Sequence, residues 1–129
     1  MTHPNEKTIR QLYDAFAQGD TEALTAGWTT DVVWHSPGQH QLAGSYEGPE
    51  AVLGFFGQIF ELTDNTFRAD LEHTLADEHT GYALHTFRAQ RNGRNYEGLD
   101  VLVMRFQDGR IAEFWIHPHD QALEDELFA

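Results

Sequence analysis

The sequence contains no cysteine, only four prolines, and only 8 basic residues against 21 acidic ones. Without cysteine the chain can form no disulfide bond and has no thiol nucleophile. The formal net charge of −13 repels phosphate backbones and anionic lipid surfaces, so we expect neither nucleic acid nor a membrane as a partner. No segment has the uninterrupted apolar length of a membrane span, and the N-terminal residues contain no apolar signal-peptide core. We therefore expect a cytoplasmic protein.

The motifs of several large enzyme classes are also missing. There is no glycine-rich phosphate loop and no nucleophile elbow, so we expect no nucleotide cofactor and no serine-hydrolase chemistry. His117 and His119 are spaced as two metal ligands on a strand would be, but Pro118 between them argues against a regular strand and no third ligand is evident. We expect a solvated strand end there, with no metal site and no cofactor elsewhere.

The size and the order of the patterns predict one α+β domain. A chain of 129 residues with 40% hydrophobic content is suited to a single core, and we assign residues 1–129 to one domain. Helical patterns come first and alternating patterns follow, which favours helices on one face of a curved, mainly antiparallel sheet. In the first half of the chain we expect a helix from Pro4 to Gly19, a short helix capped by Asp20, a strand over 31–35, a loop over 39–47 and a helix opened by 48–50. In the second half we expect a strand over 66–75, a double hairpin over 82–117 and a short acidic helix over 121–129. The alternation in the strand over 66–75 places Leu71 and Leu75 on one face.

The most informative stretch is the first of the two hairpins. Asn92-Gly93 lies between two strand-like runs and predicts a two-residue type I′ turn, because both turn positions need a positive φ. That turn pairs Arg91 with Arg94 and places His85 directly opposite Asp100. Side chains alternate along strands, so this histidine and this aspartate share a largely apolar face.

The second hairpin has two possible registers. A two-residue turn at Asp108-Gly109 would place His117 opposite Asp100, whereas a three-residue loop with a glycine bulge would place Ile116 there and turn His117 to the other face. We favour the bulged loop, because Ile116 belongs to the more apolar side of its strand, which should face the helices.

The order of elements and several short stretches resemble one known superfamily. The stretches are Phe-Ala-Gln-Gly-Asp at 16–20, Asp-Val-Val-Trp at 31–34, Gly-Pro-Glu-Ala-Val at 48–52 and Asp-Gly-Arg-Ile at 108–111. The chain resembles the nuclear-transport-factor-2-like superfamily in its SnoaL-like and ketosteroid-isomerase-like branch. This resemblance implies a cone-shaped, cystatin-like roll with a pocket at its wide end, and usually a homodimer. We expect the dimer contact on the face that carries Leu99, Val101 and Val103, because these side chains point away from the pocket.

The resemblance also implies positions for site residues. The isomerase tyrosine falls at Leu12, beside Tyr13, its base falls at Ser36, and its aspartic acid falls at Leu102, next to Asp100 on the same face; none of the three keeps the isomerase side chain. The polyketide cyclases' aspartate falls close to Ile116. The positions that line the family's pocket are bulky and apolar, and we expect the following residues to contact a ligand: Leu12, Phe16, Trp28, Trp34, Phe56, Phe60, Phe87, Tyr96, Leu102, Phe114 and Ile116.

Two functions remain open for this pocket. In the first, Asp100 fixes the tautomer of His85, which acts as general base in cofactor-free proton transfer of the isomerase, cyclase or hydratase/hydrolase type on a small apolar carbonyl or polycyclic compound. In the second, the two residues form a structural hydrogen bond and the domain binds or sequesters such a ligand without converting it. The two readings share the pocket and differ in whether the polar pair contacts the ligand.

Overall fold

A computed structural model describes residues 2–129, and its centre is a curved six-stranded sheet. The strand order is β2-β1-β6-β5-β4-β3, and every pairing is antiparallel except the parallel pair of β1 and β6. The strands are β1 Trp28–Ser36, β2 Gly44–Glu47, β3 Arg68–Ala76, β4 Thr80–Arg91, β5 Arg94–Gln107 and β6 Arg110–Pro118.

Local sequence signals set the ends of the helices, which are α1 Pro4–Gln18, α2 Thr21–Ala26, α3 Pro49–Leu62 and α4 Gln121–Leu127. Gly19 ends α1 in the left-handed conformation, with φ of 65°, which glycine adopts without steric cost. Asp20 caps α2 by accepting a hydrogen bond from the amide of Ala23, and Asp120 caps α4 in the same way through the amide of Leu123. The helices predicted from the sequence are therefore all present.

The helices lie against the concave face of the sheet, as the α+β prediction requires. α1 contacts β3 and β4, and α3 contacts β1 and β2. Leu102 and Met104 of β5 point into the core and are buried, whereas Leu99 on the opposite face is 39% exposed. The homodimer expected across that convex face stays a prediction. Among residues 2–129 no helix has both the length and the apolar character that crossing a membrane requires.

The first hairpin has the predicted register. Arg91 pairs with Arg94 and His85 pairs with Asp100. Asn92 and Gly93 have φ of 53° and 78°, as a type I′ turn needs. A β-carbon at Gly98 would lie 2.3 Å from the ring of Phe87, so any larger residue at position 98 would clash with that ring.

The second hairpin corrects our prediction of its turn. Gln107 pairs with Arg110, so Asp108-Gly109 is a two-residue turn and the favoured three-residue loop is wrong. A bulge inside the strand, opposite Arg105 and Phe106, then shifts the register, so that Asp100 pairs with Pro118 rather than with Ile116. The extra residue restores the predicted faces: Ile116 is buried and His117 points outward and is exposed.

Two further expectations change in the same way. β3 contains a bulge between Leu71 and His73, which reverses its alternation, so Thr74 is buried and Leu75 is 70% exposed instead of facing the core. The segment 39–47, expected to be a loop throughout, ends in strand β2, which pairs with β1 at the edge of the sheet.

Candidate functional site

A cavity of about 70 Å³ lies between the helices and the concave face of the sheet. Five strands, β1 and β3 to β6, three helices and the C-terminal residues contribute to its wall. The lining side chains are mostly apolar and aromatic, and the polar ones are few. They are Leu12, Tyr13, Phe16, Trp34, Phe55, Phe56, Ile59, Phe67, Ala69, His85, Phe87, Asp100, Leu102, Ile116, Glu124 and Phe128.

Most of the predicted site residues meet in this cavity. The structure brings together Leu12, Phe16, Trp34, Phe56, Phe87, Leu102 and Ile116 around His85 and Asp100.

Four predicted ligand contacts lie outside the cavity wall. Trp28 and Phe114 pack edge to face against each other in the core beneath it. Phe60 lies behind Phe16, and Tyr96 lies further along the hairpin, with the guanidinium of Arg94 over its ring. These four side chains were predicted to contact a ligand, but the packing of neighbouring aromatic rings places them outside the cavity wall. The pattern of the sequence does not specify that packing.

Three polar side chains form a hydrogen-bonded chain in the cavity wall. The hydroxyl of Tyr13 lies 2.6 Å from Nδ1 of His85, and Nε2 of His85 lies 3.1 Å from Oδ2 of Asp100. The side chains of His85 and Asp100 are each only 7% exposed. Elements distant in sequence meet here, since Tyr13 comes from α1 and the other two residues come from the paired strands β4 and β5.

The partners define the direction of these hydrogen bonds. A carboxylate only accepts, so Nε2–H of His85 donates to Asp100, and in the neutral imidazole Nδ1 is then the acceptor for the hydroxyl of Tyr13. Burial, followed by the charge of Asp100, raises the pKa of Tyr13, which keeps the hydroxyl protonated as this direction requires. Both nitrogens of His85 are therefore engaged within the protein.

One oxygen of Asp100 remains available. Within residues 2–129, Oδ1 of Asp100 is buried and has no hydrogen-bond partner, and the same is true of the indole nitrogen of Trp34, which also lines the cavity. A buried carboxylate oxygen without a partner is unfavourable, because it has lost its water and gained no donor. A ligand that donates a hydrogen bond or a proton to this atom would remove that cost.

A second carboxyl group faces the same cavity. Glu124 of α4 is buried, and its burial, followed by the charges of Asp100 and Asp125, raises its pKa to about 8. The only hydrogen-bond donor to its carboxyl within the described chain is the amide of Gln121, at a long 3.4 Å. At neutral pH this raised pKa keeps the carboxyl group of Glu124 mostly protonated.

The covering helix α4 is held in place from two sides. Arg91 of the first hairpin donates to the carbonyls of Leu127 and Ala129, and Arg94 forms an ion pair with Glu126. From the other side the amide of Gln41 donates to the carbonyl of Phe128. These contacts fix Glu124 and Phe128 over the cavity.

The sequence model of the SnoaL-like domain matches residues 9–114. The chain belongs to the SnoaL-like family. An uncharacterised protein of Mycobacterium tuberculosis is 31% identical over 114 residues, which are 85% of this chain and 87% of that protein. Bal32a, from a soil-derived mobile gene cassette, is 32% identical with a TM-score of 0.94 over 98% of this chain and 97% of its own. A nuclear-transport-factor-2-like protein of unknown function from Burkholderia pseudomallei is 26% identical with a TM-score of 0.88 over 99% of each chain.

These comparisons confirm the predicted superfamily. The geometry shows in addition which residues of this SnoaL-like chain line the cavity. At the isomerase tyrosine position the sequence places Leu12, but the hydroxyl in the wall of the cavity comes from Tyr13, its neighbour on α1. Glu124 also belongs to the site but was not predicted from the sequence. An acidic residue in an acidic C-terminal segment has the pattern of a solvated helix, and only the packing of α4 over the cavity shows that Glu124 is buried.

Proposed function

We propose that this protein binds a small, largely apolar carbonyl compound in the cavity and transfers a proton on it without a cofactor. The observation that carries the proposal is Oδ1 of Asp100, a buried carboxylate oxygen in an apolar wall with no partner in the described chain. Perturbed or unsatisfied titratable groups in a concave apolar site are typical of catalytic positions.

The polar chain supports Asp100 as the proton acceptor. Oδ2 is held by Nε2–H of His85, so the carboxylate is fixed in one orientation with Oδ1 toward the ligand. Tyr13 holds His85 in the tautomer that makes this possible. His85, which the sequence suggested as the base, is in this proposal a positioning residue, because neither ring nitrogen is free.

The dimensions of the cavity favour a compact ligand. A volume of about 70 Å³ is below the ~150 Å³ of a cavity that binds benzene. The cavity therefore favours a ketone smaller than benzene, such as acetone or butanone, whereas a polycyclic compound would need displacement of the covering helix α4.

Hydrogen–deuterium exchange tests the proposal. We expect the protein to accelerate exchange at the carbon next to the carbonyl in members of a panel of small ketones, such as acetone and butanone, followed by proton NMR in heavy water. The matched control is Glu113→Gln, which removes a carboxylate paired with a histidine on the outer face of the same sheet. Exchange that is no faster than in buffer across the panel contradicts the proposal.

A second candidate is a binding module that does not convert its ligand. The observation that favours it is the internal satisfaction of His85, whose two hydrogen bonds give the pair a purely structural use. In that case ketones bind and quench the fluorescence of Trp34 in the wall, but no exchange follows. Binding with exchange therefore separates the enzyme from the module.

A further inference from the structure

Glu124 has a position that the proposed proton acceptor does not explain. It lies on α4, the helix that covers the cavity, and its side chain is buried in the same wall as Asp100. Neighbouring acidic residues of the same helix behave differently: Glu126 is 46% exposed and pairs with Arg94, and Asp125 accepts from the amide of Gln39. Of these three acidic residues, only Glu124 lines the cavity.

The surroundings keep a proton on this carboxyl group. The ionisable groups around it are Asp100 across the cavity and Asp125 on its own helix, with Tyr13 and His85 further along the wall. No lysine or arginine of residues 2–129 lines the cavity, so only the long hydrogen bond from Gln121 favours a charge on Glu124, and burial outweighs it. Two carboxyl groups in one apolar site share their ionisation unequally, and here Asp100 is bonded to His85 while Glu124 is not.

We propose that Glu124 is the proton donor of the site, acting on the carbonyl oxygen of a ligand whose neighbouring C–H proton passes to Asp100. This inference rests on the proposed function and deepens it, because it assigns the acid as well as the base. It uses the two carboxyl groups that line one cavity, of which Asp100 is hydrogen-bonded to His85 and Glu124 is not.

The proton transfers balance within the pair. Oδ1 of Asp100 takes the proton from the carbon next to the carbonyl, and the C–H electron pair forms a C=C bond. The C=O π pair moves to oxygen, which takes the proton of Glu124, so a neutral enol lies between a protonated Asp100 and an ionised Glu124. Return of the two protons regenerates the ketone and both carboxyl groups, with the hydrogen on carbon exchanged or moved.

This arrangement specifies the ligand class. The compound must have a carbonyl oxygen for Glu124 and an enolisable C–H for Asp100, on an otherwise apolar frame. It must also be neutral, because a carboxylate or phosphate would meet the charge of Asp100 and a chain whose net charge is −13.

Three variants test the donor. Glu124→Gln keeps a hydrogen-bond donor but has no proton to transfer, Glu124→Leu has neither, and Glu113→Gln is the control, because Glu113 lies on the outer face of the sheet and does not line the cavity. The probe is the ketone of the panel that binds most tightly, with its carbonyl stretch measured by infrared difference spectroscopy and its exchange by NMR. We expect the bound carbonyl band to shift to lower wavenumber in wild type, Glu124→Gln and Glu113→Gln, and to lose this shift in Glu124→Leu. Exchange should fall about 100-fold or more in both Glu124 variants and stay unchanged in the control.

Protonation of Glu124 has a readout of its own. An acid whose pKa is raised by folding holds a proton that the unfolded chain has lost, so folding stability falls as the pH rises from about 4.5 to about 8. We expect the thermal midpoint of the wild type to fall over this interval more steeply than that of Glu124→Gln. Because substitution removes a buried acid, both Glu124 variants should be at least as stable as wild type at pH 8.

Each outcome decides between the two proposals. A carbonyl shift that persists in Glu124→Leu assigns the donor to another group, such as the indole N–H of Trp34, and overturns the inference. Exchange that is insensitive to Glu124 overturns it while leaving the proposed function intact. A shift that depends on Glu124 without any exchange shows a hydrogen bond from Glu124 to the carbonyl and overturns both the proton transfer and the proposed catalysis. If no ketone of the panel binds, both proposals fall.

Discussion

The two faces of the sheet each hold a histidine paired with a carboxylate, but in opposite surroundings. On the concave face His85 lies 3.1 Å from Asp100, and both side chains are 7% exposed. On the convex face Nε2 of His35 lies 2.5 Å from Glu113, with the two side chains 32% and 23% exposed. The same two kinds of group therefore meet once in a cavity and once near water.

In the outer pair, His35 and Glu113, every polar side-chain atom has a hydrogen-bond partner, whereas in the inner pair, His85 and Asp100, one oxygen has none within residues 2–129. Both oxygens of Glu113 have partners, one in His35 and the other in Arg105 at 3.3 Å, and Nδ1 of His35 lies 2.8 Å from the hydroxyl of Ser45. The described chain supplies no donor to Oδ1 of Asp100. A histidine–carboxylate pair alone is therefore weak evidence for function, and the unsatisfied, buried oxygen of Asp100 is what distinguishes the inner pair from the outer pair.

Removal of each histidine should give the largest contrast. We expect His85→Ala to lower the free energy of unfolding by about 3 kcal/mol, because it leaves a buried carboxylate and a buried hydroxyl without partners. His35→Ala should cost about 1 kcal/mol or less, since its partners remain accessible to water. Urea unfolding at neutral pH measures both values, and comparable losses in the two variants would contradict the comparison.

Replacing the carboxylate of each pair, Asp100 or Glu113, by its amide should give the next largest difference, and this difference is in the rate of ketone exchange. We expect Asp100→Asn to lower the rate of ketone exchange about 100-fold or more, because the amide cannot accept the proton, and to leave ligand affinity within a few-fold. Glu113→Gln should leave the rate unchanged. The measurement is exchange by NMR at saturating ketone, and full activity in a folded Asp100→Asn protein would show that Oδ1 is not the acceptor.

The inner pair could be predicted from the sequence, and the outer pair could not. Asn92-Gly93 specifies a turn type, and that turn alone aligns residues fifteen positions apart in the chain. His35 and Glu113 meet across the parallel strands β1 and β6, whose alignment no local turn determines. The helical patterns, the order of elements and the α+β fold followed from periodicity and caps, which act within a few residues.

The errors share one physical cause, a dependence on packing between distant segments. The bulges in β3 and β6 insert a single residue each, and a single residue reverses every later side chain of a strand. Tyr13 and Glu124 enter the site from α1 and α4, whose rotation over the sheet depends on the whole core. The sequence therefore predicted the pair of His85 and Asp100 but not the contributions of Tyr13 and Glu124 to the same site.

Shortening the polar chain at its far end should have a smaller effect than breaking its centre. Tyr13→Phe removes one hydroxyl and leaves Nδ1 of His85 as a neutral acceptor without a partner, so we expect a loss of about 1 kcal/mol in the free energy of unfolding. The exchange rate should fall by less than it does in Asp100→Asn, because the acceptor oxygen is still present. Tyr46→Phe, which removes a hydroxyl bonded to the carbonyl of Leu42 away from the cavity wall, is the control for activity. An unchanged rate in Tyr13→Phe would assign that hydroxyl a structural role only.

The smallest expected effect is the pH dependence of the outer pair, and its sign is opposite to that of Glu124. Burial of Glu113 opposes its ionisation, but the hydrogen bonds from His35 and Arg105 outweigh this and lower its pKa below the ordinary 4.5. A carboxyl group with a lowered pKa stabilises the folded state fully above its ordinary pKa, and this contribution disappears as the pH falls through the lower folded value. Wild type should therefore exceed Glu113→Gln by about 1 kcal/mol or less at pH 6, and this difference should vanish toward about pH 3. Because Glu113 is partly exposed, added salt should shrink the difference at pH 6, whereas the cost of His85→Ala should barely respond to salt. An outer-pair difference that is insensitive to salt would show that the convex face is shielded from water in solution, as it would be under a second copy of the chain.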